Sequence, residues 1–378
     1  MRIVHLICMI FLKLPVNDNM IWLYKMGKRK VRVMMVGSAR ESGGGIATVI
    51  KTMTQMTIWD EFDCYWLGTQ IQRNYVWKVW YALKAYFIAL FIIWRYDIIH
   101  FHTVPNISMK IQLPIFLLAR IGKKKIILHL HVGNQLSMDE YVNEKLAHWC
   151  MNRADILVLL SYKCETYIDD FWSDVKSPRS VIYNACNEVN FVPYEQHFKK
   201  ILFVGRFTKN KSADILIRAF SRIHEKYSDW SVRILAEGPE MEKCRELARN
   251  LGVENKVEMP GFLYGVEKDK SYQEAGIFCL CSFYEGFPMV VLDSWAHGVP
   301  VVTTPVGGVT DVMEEGKNGF TYEFGNVDRL AEKLDILMGN ENLRKEMSLY
   351  CRSFVQEKFS IETINTQWRQ LYYNLVER

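Results

Sequence analysis

The sequence predicts an α/β protein in which two doubly wound parallel sheets face each other across a cleft. In both halves, apolar runs bounded by glycine, proline and asparagine alternate with amphipathic helical patterns, which is typical of β-α-β units. The pattern restarts after a linker-like segment at residues 184–193, and a length of 378 residues suits two domains of about 100–200 residues each.

We divide the chain into four parts. Residues 1–29 are a leader and a candidate peripheral anchor. Residues 30–193 and residues 194–358 are the N-terminal and C-terminal sheet domains. Residues 359–378 have an amphipathic helical pattern, and we expect this last helix to pack back on the N-terminal domain.

The composition indicates a globular protein of a reducing compartment with an acidic partner. Half of the residues are hydrophobic, and the nine cysteines include no C-x-x-C pair, which favours reduced thiols. The first 190 residues hold 23 lysines and arginines against 15 acidic residues, whereas the remainder holds 24 against 27. A basic, aromatic half favours anionic lipid headgroups, phosphorylated substrates or nucleic acid as partners; ordinary surface variation is the alternative.

Two apolar stretches bear on membrane contact. Residues 1–14 are apolar, but no small-residue cleavage site follows, so they are a weak anchor or simply a leader. Residues 76–94 are rich in aromatic side chains, yet their longest uncharged run is ten residues, short of the ~20 that span a bilayer. Lys78, Lys84 and several tryptophans favour a helix that lies at a membrane interface. A core helix that covers the sheet is the alternative.

The N-terminal half places glycines and histidines at the predicted ends of strands. A strand leads into three glycines at residues 43–45 and then a helix, but the G-x-G-x-x-G spacing of dinucleotide sites is missing. Two further strands end in pairs of histidines: His100 and His102, then His129 and His131. We expect one of them to be a polar group of the active site, and His100 and His102 to be structural, satisfied by the backbone. A zinc site is the less favoured interpretation, because no third type of ligand lies at a recognisable offset.

Residues 281–308 are the most informative stretch of the C-terminal half. An apolar strand at residues 277–281 leads into a loop that holds Glu285, Pro288 suits the first turn of a helix, and Gly298 ends that helix. Asp293 then lies about two turns into the helix. A loop at the carboxyl end of a parallel strand, followed by a helix N-terminus, favours a ligand with hydroxyl and phosphate groups.

The motifs in the C-terminal half have a recognisable order. They are GRFTKNKS at residues 205–212, AEGPE at 236–240, VEMPGFL at 257–263, EGFPMVVLD at 285–293, GVPVVTTPVGG at 298–308 and GKNGF at 316–320. Together they resemble the retaining glycosyltransferases of family 4, which have the GT-B fold of two Rossmann-like domains. The N-terminal half resembles the family more loosely, through GGG, DIIHFH and LHLHVG.

The resemblance implies roles for individual residues. Arg206 and Lys211 would hold the donor diphosphate, Glu285 would contact the transferred sugar, and Asp293 would bind the ribose hydroxyls from a position where the family usually has glutamate. His131 matches the active-site histidine near the transferred sugar, and His129 is the second candidate. The remaining donor-binding positions are Gly45, Glu237, Gly286, Phe287, Pro288 and Met289. The chain has no D-x-D flanked by apolar residues, so we expect no metal and no cofactor.

The resemblance therefore implies a metal-independent, retaining glycosyltransferase of hexosyltransferase type. Its C-terminal domain would bind a nucleotide-sugar donor, and its N-terminal domain would bind a glycan acceptor, most simply a lipid-linked one in bacterial-type surface polysaccharide assembly. We expect a cytoplasmic protein at the inner face of the cell membrane that does not bind nucleic acid. The alternatives are a GT-B nucleotide-sugar epimerase or phosphorylase, and a non-catalytic nucleotide-sugar-binding protein.

Overall fold

A computed structural model describes residues 30–105, 107–132, 144–194 and 198–377, so the predicted leader at residues 1–29 lies outside the described part. The described chain contains two six-stranded sheets in which all paired strands are parallel. Helices connect successive strands within each sheet. The predicted α/β architecture of two doubly wound sheets is confirmed.

The strands are short and mostly buried, as expected of parallel sheets that helices cover on both faces. The first sheet has the order β2-β1-β3-β4-β5-β6, with β1 Val33–Ser38, β2 Tyr65–Gln70, β3 Ile98–Thr103, β4 Lys125–Leu130, β5 Ile156–Leu159 and β6 Arg179–Val181. The second has the order β12-β11-β10-β7-β8-β9, with β7 Lys200–Arg206, β8 Ser231–Glu237, β9 Val257–Glu258, β10 Ile277–Leu280, β11 Val301–Thr303 and β12 Gly319–Thr321.

The helices of the described residues are, in chain order, α1 Gly45–Met53, α2 Ile58–Glu61, α3 Tyr75–Ile92, α4 Ile107–Ile121, α5 Glu144–Met151, α6 Tyr162–Phe171, α7 Ala213–Ser221, α8 Met241–Asn250, α9 Val266–Gln273, α10 Met289–Ala296, α11 Val309–Val312, α12 Val327–Gly339, α13 Glu341–Phe359 and α14 Ile361–Glu377. The predicted boundaries of α10 are confirmed: Pro288 precedes the helix with φ −70°, and Gly298 follows it with φ +70°. A left-handed φ favours glycine at that stop.

Each sheet has one point at which the strand order reverses. In the first sheet it lies between β1 and β3, and in the second it lies between β7 and β10. The loops that leave the carboxyl ends of two such neighbouring strands diverge to opposite sides, which opens a crevice for ligands. The loop after β7 carries Lys211 and the loop after β10 carries Glu285.

The structure departs from the sequence pattern at two places. Residues 318–324, where no strand was predicted, contain β12, which pairs with β11. Ser212, directly before α7, does not cap the helix with its side chain. It adopts φ +44°, and its hydroxyl donates to the carbonyl of Lys209 at 2.5 Å. The backbone there is left-handed, which explains why glycine suits this position.

The two domains share one apolar core. A single cluster of buried residues extends from Val33 and Ile98 of the first sheet to Phe278 and Trp295 of the second domain. The last helix, α14, lies against the N-terminal domain. The side-chain oxygen of Asn365 accepts from the backbone N–H of Ile58 at 3.0 Å, and Arg369 pairs with Glu61 at 2.8 Å. These contacts, together with an edge-to-face contact between Phe62 and Tyr372, attach the C-terminal helix to the N-terminal domain.

Candidate active site between the two sheets

Lys211 and Glu285 meet where the strand order of the second sheet reverses. The ammonium group of Lys211 forms an ion pair and hydrogen bond with the carboxylate of Glu285, and both side chains are mostly buried. The hydroxyl of Ser282 donates to the same carboxylate oxygen at 2.6 Å. The structure therefore brings together Lys211, which the resemblance assigns to the donor diphosphate, and Glu285, which it assigns to the transferred sugar.

Asn210 fastens the loop after β7 to the loop after β10. Its side-chain oxygen accepts from the N–H of Tyr284 at 3.1 Å, its side-chain nitrogen donates to the carbonyl of Tyr284 at 3.2 Å, and its own carbonyl accepts from Phe283 at 2.8 Å. A paired amide contact of this kind fixes the position of both loops. The sequence analysis did not single out Asn210, and its place directly before Lys211 was the available signal.

The turn that follows Glu285 is built on glycines. A Cβ atom on Gly307, which has φ +46°, would lie 1.8 Å from the carbonyl oxygen of Gly286. A Cβ on Gly286 would in turn lie 3.1 Å from a methyl of Leu160 and 3.4 Å from the backbone of His131. This close packing brings the loop of the C-terminal domain against the loop that carries the predicted catalytic histidine.

Phe287, Pro288 and Met289 follow Gly286, and they offer backbone groups rather than reactive side chains. Phe287 is buried, its ring lies 5.2 Å from that of Tyr183, and its carbonyl accepts from the side chain of Asn184 at 2.8 Å. Pro288 and Met289 are buried at the start of α10. Their contribution to a bound donor would be the positive end of the helix.

Asp293 lies inside α10 and is already engaged. Its carboxylate accepts from the ammonium of Lys268 at 2.7 Å, and the carboxylate is largely buried. Lys268 comes from α9 and also lies over the ring of Tyr272, 5.6 Å from its centroid. The sequence analysis missed Lys268, because nothing in the sequence shows that α9 packs against α10.

Arg206 faces the N-terminal domain. It is exposed at the end of β7, and its guanidinium lies 3.5 Å from the side-chain oxygen of Gln72. A Cβ on Gly44 would lie 3.0 Å from the side chain of Gln72, whereas a Cβ on Gly45 would meet no atom within 4 Å. The glycine-rich turn and Arg206 therefore lie on opposite walls of the cleft with Gln72 between them.

Glu237 lies at the end of β8, directly beside Arg206 in the register of the sheet. Its side chain is exposed to the cleft edge and accepts from the N–H of Phe262 over a long 3.4 Å contact. This position is compatible with the predicted donor contact at the carboxyl edge of the second sheet.

The four histidines form one stacked group under the cleft. A ring nitrogen of His131 lies 3.1 Å from a ring nitrogen of His102, and His100 lies 2.9 Å from the hydroxyl of Tyr372 in α14. His102 and His129 are direct partners in the register of β3 and β4. The expectation that the backbone satisfies His100 and His102 is wrong. Nδ1 of each ring contacts a side chain, and Nε2 of each ring is buried without a hydrogen-bond partner among the described residues.

Burial controls the protonation of these histidines. It lowers the pKa of His131 to about 3. It also lowers the pKa of His100, His102 and His129 well below the ordinary value, and neighbouring imidazoles add to the effect. All four rings are neutral at physiological pH, so His131 can accept or donate a hydrogen bond but does not bring a positive charge.

Three of these histidines could also hold a metal ion. One nitrogen from each of His100, His102 and His129 lies within 4.8 Å of the others. All three side chains are fully buried, and their rings pack together with centroids 4.3–5.5 Å apart. An ion there would be enclosed by buried side chains of β3 and β4.

Comparison with known proteins assigns the C-terminal domain. Residues 190–354 match the family model described as glycosyl transferases group 1. The matched segment contains Arg206, Lys211, Glu285 and Asp293, which make up the C-terminal half of the candidate site.

Relatives extend the similarity beyond the group 1 domain. The chain is 34% identical over 173 residues to an uncharacterized glycosyltransferase of Haemophilus influenzae, covering 45% of this chain and 48% of that protein. It is 25% identical over 259 residues to an α-1,4-N-acetyl-D-galactosaminyltransferase of Campylobacter jejuni that acts on a diNAcBac-PP-undecaprenol glycan, covering 67% and 69%. The chain spans about half the length of the first two curated relatives that it matches.

Solved structures confirm the fold. Alr3699/HepE of Anabaena, crystallised with UDP, superimposes with a TM-score of 0.73 at 16% identity, covering 91% of this chain and 100% of that one. This similarity includes both sheets. The GT-B arrangement of two Rossmann-like domains, expected from the motifs, is confirmed.

Proposed function

We propose that the protein is a retaining glycosyltransferase that moves a sugar from a nucleotide-sugar to a hydroxyl of a glycan acceptor. The observation that carries the proposal is the Lys211–Glu285 pair at the reversal point of the second sheet, with Arg206 exposed beside it. Two cations suit a diphosphate leaving group, and the adjacent carboxylate suits sugar hydroxyls. In the absence of donor, the cation and the carboxylate neutralise each other.

The retaining reaction that the resemblance implies is compatible with this placement. The bond between the anomeric carbon and the diphosphate oxygen breaks, and Arg206 and Lys211 stabilise the negative charge that develops on the diphosphate. The acceptor oxygen bonds to the anomeric carbon on the same face, and its proton passes to the leaving phosphate. Neutral His131, next to Gly286 across the cleft, would orient the sugar rather than attack it. Because two side-chain cations can stabilise the leaving group, the transfer would need no metal.

We propose a lipid-linked acceptor in bacterial-type surface polysaccharide assembly, and a cytoplasmic enzyme at the inner face of the membrane. The support is the similarity to the Campylobacter enzyme named for its undecaprenol-linked glycan, together with the basic N-terminal half of this chain.

The test is a donor screen followed by a transfer assay. Thermal shift against UDP-, GDP- and ADP-sugars should identify one donor, and the screen should start with UDP-sugars because HepE was crystallised with UDP. Turnover should require an acceptor glycan, resist EDTA, and give a product whose anomeric configuration, read by NMR, equals that of the donor. Conversion of the donor without an acceptor would indicate an epimerase. Dependence of turnover on free phosphate would indicate a phosphorylase, and a thermal shift without turnover would indicate a binding protein. An inverted product would contradict retention.

A further inference from the structure

Helix α3, between β2 and β3, exposes a continuous apolar face. Its contact with the sheet is made by three alanines, Ala82, Ala85 and Ala89, which are buried. The opposite face carries large apolar side chains at spacings of three and four residues, so they form one stripe along the helix. We call this the outer stripe; it consists of Val76, Trp80, Leu83, Phe87, Leu90 and Phe91 of α3 and of Trp94 in the 3₁₀ turn that follows, which are between 47% and 72% exposed.

The neighbouring helix widens the apolar surface. In α4, Leu117 and Ile121 are 41% and 71% exposed. An open groove of about 480 Å³ runs between α3 and α4, and only apolar atoms are exposed along it. Its walls include Phe87, Leu90 and Ile121. A patch this large on a folded domain marks a surface that another phase or molecule covers.

The charges that the patch's own segment carries are almost all positive. Residues 75–124 contain seven lysines and arginines but one acidic residue, Asp97. The carboxylate of Asp97 accepts from the N–H of Arg32. Lys84 and Lys110 are exposed on α3 and α4. Apolar and tryptophan side chains edged by lysine and arginine are typical of helices that lie at the interface of an anionic membrane.

While α3 stays packed on the first sheet, it can lie on a bilayer but cannot cross one. Residues Tyr75–Arg95 are long and apolar enough to cross a bilayer by length and composition. However, α3 is one of the connections of the first sheet and packs on β2 through its alanines. Leaving the sheet would expose the core of the domain, so the outer stripe is the part available to lipid.

The patch begins at the rim of the cleft. Asn74 caps α3 by accepting from the N–H of Trp77 at 3.2 Å, and Gln72, two residues earlier, contacts Arg206. A surface that holds the outer stripe would therefore lie next to the opening between the two domains.

We propose that the outer stripe and the exposed end of α4 dock on the surface of an anionic phospholipid bilayer. The apolar side chains enter the boundary between headgroups and acyl chains, and the flanking cations contact anionic headgroups. This proposal deepens the proposed function, because docking would present the cleft to a lipid-linked sugar at the same surface. It rests on the proposed function only for the identity of that acceptor.

Flotation of the full-length protein with vesicles tests the proposal. We expect binding to phosphatidylglycerol–phosphatidylcholine vesicles at low salt, weaker binding at high salt, and little binding to phosphatidylcholine alone. The double variant Phe87→Asp/Phe91→Asp should reduce binding at least tenfold, because it puts two charges into the stripe. Leu349→Asp is the matched control: Leu349 is 60% exposed, but on helix α13, and its replacement should leave binding unchanged.

Three outcomes would overturn the proposal. The first is that the wild type fails to float with anionic vesicles at low salt. The second is that the double variant floats equally well, which would place the membrane contact elsewhere in the chain. The third is that the wild type is a dimer and the double variant is a monomer, which would make the patch an interface between two copies. Circular dichroism and donor hydrolysis without vesicles should be equal in all variants. Loss of hydrolysis in every protein, including the wild type, would instead count against the proposed function and leave the docking result interpretable.

Discussion

Lys268 donates a hydrogen bond to Asp293 at 2.7 Å, across the contact between helices α9 and α10. The family that the sequence resembles usually has glutamate at this position, so the side chain of Asp293 is one methylene shorter. The carboxylate is also held by the ammonium of Lys268. The ion pair fixes the direction of the carboxylate and leaves its second oxygen for a ligand. Because the side chain of Asp293 is shorter and its carboxylate is held in one direction, we expect donor binding at this position to differ from that of relatives.

Replacement of Asp293 should weaken donor binding without stopping the chemistry. Loss of a charge-assisted hydrogen bond costs about 1.5–3 kcal/mol, so Asp293→Ala should raise the KM for the nucleotide-sugar roughly 10–100-fold with a small change in kcat. Asp293→Glu restores the usual residue and should keep the KM within a few-fold of wild type. Steady-state kinetics with the donor found by the screen provide the measurement. An unchanged KM in the alanine variant would place the ribose elsewhere.

Removal of either member of the Lys211–Glu285 pair should have a larger effect. Lys211→Ala removes charge stabilisation from the leaving diphosphate, and Glu285→Gln removes a charged contact to the sugar, so we expect each to lower kcat/KM by roughly 10²–10³-fold. Lys209→Ala is the control, because Lys209 is exposed in the same loop two positions away, and its effect should stay within about twofold. Near-normal transfer by Lys211→Ala would remove that residue from the site.

The protonation of His131 predicts the pH profile. Because burial lowers the pKa of His131 to about 3, its ring is neutral throughout the range from pH 5 to 8. The profile of kcat/KM should therefore show no acidic limb with a midpoint near 6.5 from this group. A limb at that pH that disappears in His131→Asn would show that the ring titrates in the working range.

His102 should act as a positioning residue for His131. The 3.1 Å contact between their rings fixes which nitrogen of His131 faces the cleft. His102→Ala should lower kcat roughly tenfold through loss of orientation and leave the KM for donor unchanged. His102→Asn retains a hydrogen-bonding group and should recover part of the rate. A change in KM with kcat intact would indicate that His102 acts on binding instead.

The positions of the candidate donor residues could be predicted from the sequence better than the contacts around them. Arg206 is the last residue of β7, and Lys211 and Glu285 lie in the loops after the neighbouring strands β7 and β10. Strand ends can be predicted from apolar runs and glycines. Gln72, Asn210 and Lys268 act through contacts between segments 25 to 134 residues apart. Such contacts depend on how helices and loops pack, which one-dimensional periodicity does not contain.

The histidines show the same limit in the N-terminal domain. Alternation along β3 and β4 places His100 with His102, and His129 with His131, on shared faces. It does not show that the two strands pair with His102 opposite His129, nor that Tyr372 reaches His100 from the far end of the chain. The short strand β12 was missed for a related reason, because three residues give too little pattern to separate a strand from a turn.

The buried ring of His129 predicts how stability changes with pH. Both of its nitrogens are buried without a hydrogen-bond partner among the described residues, and burial lowers its pKa well below the ordinary value of 6.5. Between these two pKa values the unfolded chain binds a proton that the folded chain does not, so the free energy of unfolding falls as the pH falls below about 6.5.

Urea denaturation at pH 7.5 and pH 5.0 should show this loss and its dependence on His129. A single neutral histidine contributes about 2 kcal/mol to the difference over that range. His129→Leu should therefore reduce the pH dependence by about that amount, and it should not lower stability at pH 7.5, because the lost polar atoms had no partner. Leu128→Met, one residue earlier on the same buried strand, is the control and should keep the wild-type pH dependence. If EDTA lowers the stability of the wild type but not of His129→Leu, a metal ion occupies the histidine group and the neutral, unpartnered state of His129 is excluded.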